Sequence, residues 1–89
     1  MDDPKKWTHI VFVHVTNGLN RKFLGEVFPC TYNLDTNRML VDVGRVEPGF
    51  SFKLPPNQFY KLRPVTYKQF MDSKFRKAMK AFYGAKEQP

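Results

Sequence analysis

Thr8-His9-Ile10-Val11-Phe12-Val13-His14-Val15 is the stretch on which the fold turns. It is rich in β-branched and aromatic residues, which favours a strand. Val11, Val13 and Val15 point one way, Ile10 and Phe12 the other. A strand that is apolar on both faces is normally central and covered on both sides. Thr16-Asn17-Gly18-Leu19-Asn20 breaks it, with Asn-Gly supplying residues that tolerate positive φ.

Working outward, Lys22–Phe28 reads as a second strand. Cys30–Leu34 and Arg38–Val43 read as a hairpin around Asp35-Thr36-Asn37, where Asp suits the turn start and Asn the left-handed conformation. Glu47-Pro48-Gly49 is a turn, with Pro second and Gly third. Phe50-Ser51-Phe52-Lys53-Leu54 alternates, so one face is buried and one wet. Pro55-Pro56-Asn57 ends it. Phe59–Arg63 reads as a last short strand stopped by Pro64.

A helix is expected over 66–83. Thr66 and Gln69 have the spacing of a capping box, and Val65 with Phe70 that of a hydrophobic staple. Gly84 suits the position just past a helix end. Tyr67, Met71, Phe75, Ala78 and Phe82 recur at helical spacing and fall in one stripe with Met79 at its edge. That stripe is expected to face the sheet. Arg76 and Lys80 then lie opposite it, Lys77 on the polar flank and Lys74 at the border. The expected fold is α+β: a small antiparallel sheet or open β-barrel of about five strands, closed by a C-terminal amphipathic helix. SH3-like and OB-like barrels share that element count. Residues 1–7 are expected as a flexible lead-in and 8–84 as a single compact domain with strands in 8–63. Residues 85–89 are expected as a flexible tail.

Composition agrees with a folded domain. Nine Phe, four Tyr, one Trp and four Met among 89 residues supply a dense core. A chain this short needs one, since it buries only about 60–65% of its unfolded surface. The single cysteine, Cys30, excludes an internal disulfide. Met1-Asp2-Asp3-Pro4-Lys5-Lys6 is polar and does not read as a signal peptide. An intracellular setting is expected, cytoplasmic or nuclear, with a virion interior as the third choice.

Catalytic and metal signatures are missing. His9 and His14 are five apart in one strand, so a regular strand puts them on opposite faces and they share no metal. Cys30 has no activating neighbour in sequence and reads as a small buried hydrophobe. Asp35 and Glu47 belong to turns, Asp72 to the first turn of the helix, where it favours the dipole. Asp42 alone has no local structural role. No phosphate-cradling glycine loop is present. The chain is read as non-catalytic, with no cofactor and no metal.

Charge is the remaining signal. Residues 1–50 hold six basic and six acidic side chains, residues 51–89 nine basic and two acidic. The whole net charge of +7 therefore resides in the C-terminal part. Arg45, Lys53, Lys61, Arg63, Lys68, Arg76, Lys77 and Lys80 are the candidate phosphate contacts, with Tyr60 the strand aromatic placed to stack on bases. Lys53, Lys61 and Arg63 are expected to alternate along the last two strands beside aromatics. The leading expectation is a nucleic-acid-binding module, RNA or DNA. The alternative is a protein-interaction module, an adaptor, subunit or virus-encoded inhibitor, docking on an acidic protein partner. Its edge strand Phe50–Leu54 could also add to a partner's sheet. A membrane partner is not expected, because the sheet needs the helix's apolar stripe for its own core.

Overall fold

The computed structural model describes residues 3–86. Strands β1 (His9–Phe12), β2 (Val27–Asn33), β3 (Arg38–Asp42), β4 (Ser51–Leu54) and β5 (Leu62–Val65) form one antiparallel sheet in the order β4-β3-β2-β1-β5. The sheet does not close, and β4 and β5 are its edges. The α+β expectation holds in its open-sheet form. As its sequence requires, β1 is central: His9, Ile10 and Val11 pair with Pro29, Phe28 and Val27, and Val11 and Phe12 also pair with Arg63 and Leu62.

The pleat sorts these residues into two layers. Ile10, Phe12, Phe28, Cys30, Met39, Val41, Val43, Leu54 and Leu62 join Phe23 in the inner core, with Trp7, Tyr32, Val46, Phe52 and Phe59 packed around it. The rings of Phe12, Phe23, Phe28 and Phe52 meet with centroids 5.1–6.2 Å apart, the tilted and edge-on geometry aromatic clusters prefer. On the other face Val11, Val27 and Leu24 are equally buried. The C-terminal helical segment meets this face at Gly25 and at His9.

The hairpin between β2 and β3 forms as its sequence dictates. Asn33 Oδ1 accepts from the amides of Asp35 and Thr36 at 2.9 and 3.2 Å, and Asn37 takes φ 56°. At the next turn Phe50 N donates to Glu47 O at 3.2 Å, with Gly49 at φ 79°.

Two expected strands are turns over their first residues. Gly18–Phe23 is a 3-10 helix, capped by Asn17 Oδ1 accepting from Leu19 N at 2.8 Å, so Lys22–Phe28 is extended only from Val27. The side-chain cap offers the backbone a local partner that outcompetes a ladder. Pro56–Lys61 is a second 3-10 helix, and the last strand begins at Leu62 and runs through Pro64. Proline is admitted because β5 is an edge and owes no outward N–H. At the other end of the chain, Asp3 caps a 3-10 turn at Pro4–Lys6, and half-buried Trp7 meets Phe59 with ring centroids 6.2 Å apart. The expected tail at 85–89 lies outside the described residues from position 87 on.

The helix is interrupted. Helix α1 (Tyr67–Met71) has the full capping box: Gln69 N donates to Thr66 Oγ1 and Thr66 N to Gln69 Oε1, both at 3.0 Å. Asp72 then leaves helical geometry (φ −88°, ψ 111°), and helix α2 (Ser73–Lys86) restarts with Asp72 as its cap. Asp72 Oδ1 accepts from Lys74 N at 2.9 Å and Phe75 N at 3.4 Å. Gly84 lies inside α2 and does not terminate it.

Candidate interaction surface

The face that α2 turns to the sheet is not its apolar stripe. At Gly25 (φ +77°) an added Cβ would lie 2.6 Å from Met79 O and 2.8 Å from Lys80 Cα, so the helix backbone rests directly on this glycine. Lys80 Nζ donates to Lys22 O and Leu24 O, each at 3.2 Å, and pairs with Glu26 at 3.3 Å. Met79, Arg76 and Tyr83 are half-buried, and Arg76 Nε is enclosed without a hydrogen-bond partner. At 100° per residue these side chains centre about a quarter turn away from the stripe. The expected inner set is thereby corrected. Tyr67, Met71 and Phe82 are 63, 57 and 52% exposed, Ala78 is exposed, and only Phe75 is half-buried. Arg76 and Lys80, expected to point outward, face the body.

α1 is held separately. His9, on the outer face of β1, stacks against Phe70 and Tyr67 with ring centroids 4.5 and 5.6 Å away. Thr8 Oγ1 and His9 Nδ1 lie 3.0 Å apart.

Of the nine residues selected from sequence, the structure divides the cations. Arg45 is committed internally: its guanidinium donates to Val27 O at 2.7 Å and to Glu26 at 3.3 Å, and lies 4.9 Å from the Phe28 ring centroid. Lys80 meets the same Glu26, while Lys22 pairs with Glu47. Lys53 projects from the outer face of β4 and Arg63 from that of β5, at opposite edges of the sheet. The expected alternation of Lys53, Lys61 and Arg63 along adjacent strands does not occur, because Lys61 belongs to the 3-10 helix before β5. Lys61 Nζ donates to Gln58 Oε1 at 3.3 Å and Thr16 Oγ1 at 3.5 Å and lies 6.0 Å from the Tyr60 ring, which also meets His14 at 5.5 Å.

A smaller set of cations has no such commitment. Arg63, Lys68, Lys74 and Lys77 are exposed and have no acidic partner among the described residues. Three belong to the helices that expose Tyr67, Met71 and Phe82. Sequence spacing puts Lys74 only at the border of the stripe; its exposure follows from how far α2 is rotated.

The orientation of α2 places the exposed apolar residues. Lys80 points toward Glu26 and Arg45, on the β2–β3 side. Phe75 and Phe82 lie about 140–160° around the axis from it, on the other flank of the helix. Lys74 points away from the sheet and Lys77 toward the opposite flank.

The groups capable of chemistry are occupied structurally. Cys30 is buried, and loss of hydration pushes its thiol up from 9.0 to about 12, which keeps it protonated and poorly nucleophilic. Asp42 Oδ1 accepts from Gly44 N at 2.9 Å, the local role its sequence position did not reveal. Among the described residues no three His, Cys, Asp or Glu side chains gather as a metal site, and no helix is long and apolar enough to cross a membrane. Comparison with family models, curated proteins and solved structures finds no match to this chain.

Proposed function

We propose that the chain is a non-catalytic interaction module that docks on an acidic protein partner through the outer surface of its C-terminal helices. One observation carries this reading: the helices that expose Tyr67, Met71 and Phe82 also carry Lys68, Lys74 and Lys77 without acidic partners. Phosphates would answer the lysines and leave the apolar side chains in water. An acidic protein surface answers both, with an apolar centre inside a charged rim.

A second reading has its own support. Tyr60 is 58% exposed beside Lys61 and His14, and Arg63 follows in β5. An aromatic flanked by cations is a means of holding single-stranded nucleic acid.

Two substitutions separate these readings. Under the first, a protein partner co-purifies after nuclease treatment, is lost with Met71→Asp and is kept with Tyr60→Ala. Oligonucleotide binding that falls steeply with salt, disappears with Tyr60→Ala and ignores Met71→Asp would replace the first reading by the second.

A further inference from the structure

The two edges of the sheet differ in what their backbone offers. From that difference we infer that β4 pairs antiparallel with β4 of a second copy of this chain, joining two sheets into one. Hydrogen bonds alternate along an antiparallel ladder, so one bond fixes which way the residues of the next strand turn. Cys30 N donates to Thr8 O at 2.9 Å, so Cys30 turns its backbone groups toward β1. Val41, opposite Cys30, therefore turns its own toward β4, and Phe52, opposite Val41, toward β3. Ser51 and Lys53 are left with N–H and C=O facing out from the edge, and both residues are exposed. Among the described residues no backbone group bonds to them there.

β5 is closed to such pairing. Val13 N donates to Lys61 O at 2.8 Å, so Arg63 and Val65 turn toward β1, and Leu62 and Pro64 face outward. Leu62 N–H is already donated to Phe59 O, and Pro64 has none. An edge without a free donor is protected. β4 has two donors and two acceptors.

The residues of β4 select a second copy and its register. A two-fold axis centred on Lys53 would oppose two lysines and set Ser51 against Pro55, which lacks an N–H. Centred on Phe52, it pairs Ser51 with the second copy's Lys53, and Lys53 with its Ser51. Every outward N–H and C=O of both strands is then bonded. Phe52 meets its counterpart at a closely spaced position of the ladder, where cross-strand aromatic pairs are favourable. Phe50, 43% exposed and edge-on to Phe52, lies opposite the second copy's Leu54. Charge agrees with this register. Ser51 separates Asp42 on β3 from the second copy's Lys53, and the lysine stem crosses so small a residue to the carboxylate. Neither Asp42 nor Lys53 has an ion-pair partner among the described residues. The axis makes that pair twice. The net +7 of each chain opposes association weakly at physiological salt, where charges more than about 8 Å apart are screened.

So small an interface belongs to the weak class, and a dissociation constant on the order of 100 µM is expected. Sedimentation equilibrium of the full chain from about 10 µM to about 1 mM, bracketing that value, reads it. Lys53→Pro deletes an outward N–H and leaves the bonds of Phe52 and Leu54 to β3, so it should be monomeric with unchanged helicity. Lys53→Glu sets Glu against Asp42, and Asp42→Lys sets lysine against lysine, so each alone should associate at least about tenfold more weakly. Mixed, the two variants should recover the association, because each chain supplies the charge the other lacks. A contact within one chain cannot be restored by mixing. The inference is overturned by an unmodified chain that is monomeric throughout, by a dimer that survives a folded Lys53→Pro, or by a mixture no better than its parts. If Lys53→Pro does not fold, the mixture decides. A monomeric chain whose Ser51 and Lys53 amide resonances shift with an alternating Val/Glu peptide would assign the edge to a strand of another protein. The acidic-partner reading is tested separately by Met71→Asp, which leaves β4 untouched.

Discussion

The two flanks of α2 are built from different residues, and each does the opposite of what its residue type suggests. One carries Lys80, whose ammonium is spent on two carbonyls and Glu26, and whose backbone rests on Gly25. The other carries Phe82, large and apolar, yet half in water. Residue type alone would have reversed them. What decides is the sheet's own relief: a glycine with no Cβ lets the helix backbone approach, and the carbonyls freed by the turn at 22–25 attract the cation nearest to them. A lysine packs inward because its stem is apolar and its charge is met at the far end.

The strongest way to break this contrast is to fill the contact. Gly25→Ala places a Cβ against the backbone of Met79 and Lys80 at a residue with φ +77°. Neither side is a flexible side chain that can move aside. A loss of about 3 kcal/mol is expected, combining left-handed strain with the clash. Chemical denaturation measures it, and hydrogen exchange should show α2 opening ahead of the inner core. A variant as stable as the unmodified chain would show that the glycine contact does not set the helix's orientation.

Asp72→Ala comes next. Asp72 both ends α1 and caps α2, so its removal is expected to cost about 1 kcal/mol. Its consequence for the comparison is larger than its energy. Without the interruption, residues 67–83 could run as one helix and align Tyr67, Met71, Phe75 and Phe82. Limited proteolysis and the chemical shifts of His9, which stacks on Phe70 and Tyr67, report whether α1 has moved.

Lys80→Met keeps the apolar stem and deletes the ammonium. The pair with Glu26 is half-exposed and screened, so about 0.5–1 kcal/mol is expected. A double-mutant cycle with Glu26→Gln isolates the charge term. Because Arg45 also meets Glu26, the cycle should show that Glu26→Gln costs more than Lys80→Met alone.

The same contrast explains which parts of the molecule could be read from its sequence. The hairpin at Asp35–Asn37, the turn at Pro48-Gly49 and the Thr66–Gln69 capping box are local, and each formed where its residues placed it; the central strand also formed, but over His9–Phe12 and not the whole of Thr8–Val15. Lys22–Phe28 and Phe59–Arg63 have strand-like composition throughout, yet only Val27-Phe28 and Leu62-Arg63 are strand, because the residues before them belong to turns entered from a cap at Asn17 and from Pro55-Pro56. The site suffered more. Rotation of α2 depends on Gly25, more than fifty positions away, and the fate of Arg45 and Lys80 depends on a shared partner, Glu26. Arg63, Lys68 and Lys77, three of the four cations that the site keeps exposed without an acidic partner, are legible from charge alone; Lys74, at the border of the stripe, is not.

Phe82 gives the smallest effect on stability and the sharpest check on the comparison. A buried phenylalanine cut to a small residue costs about 3–5 kcal/mol, and a helix residue facing the sheet would show much of that. On the exposed flank Phe82→Ser is expected to change stability by no more than about 0.5 kcal/mol. Its denaturation midpoint should therefore match that of the unmodified chain within error. A loss above about 2 kcal/mol would mean that Phe82 packs against the body in solution, and the two flanks would have to be exchanged. A small loss means that Phe82, half in water and edge-on to Tyr83 with ring centroids 4.9 Å apart, contributes little to the fold, which is the condition that a docking residue, unlike a core residue, must meet.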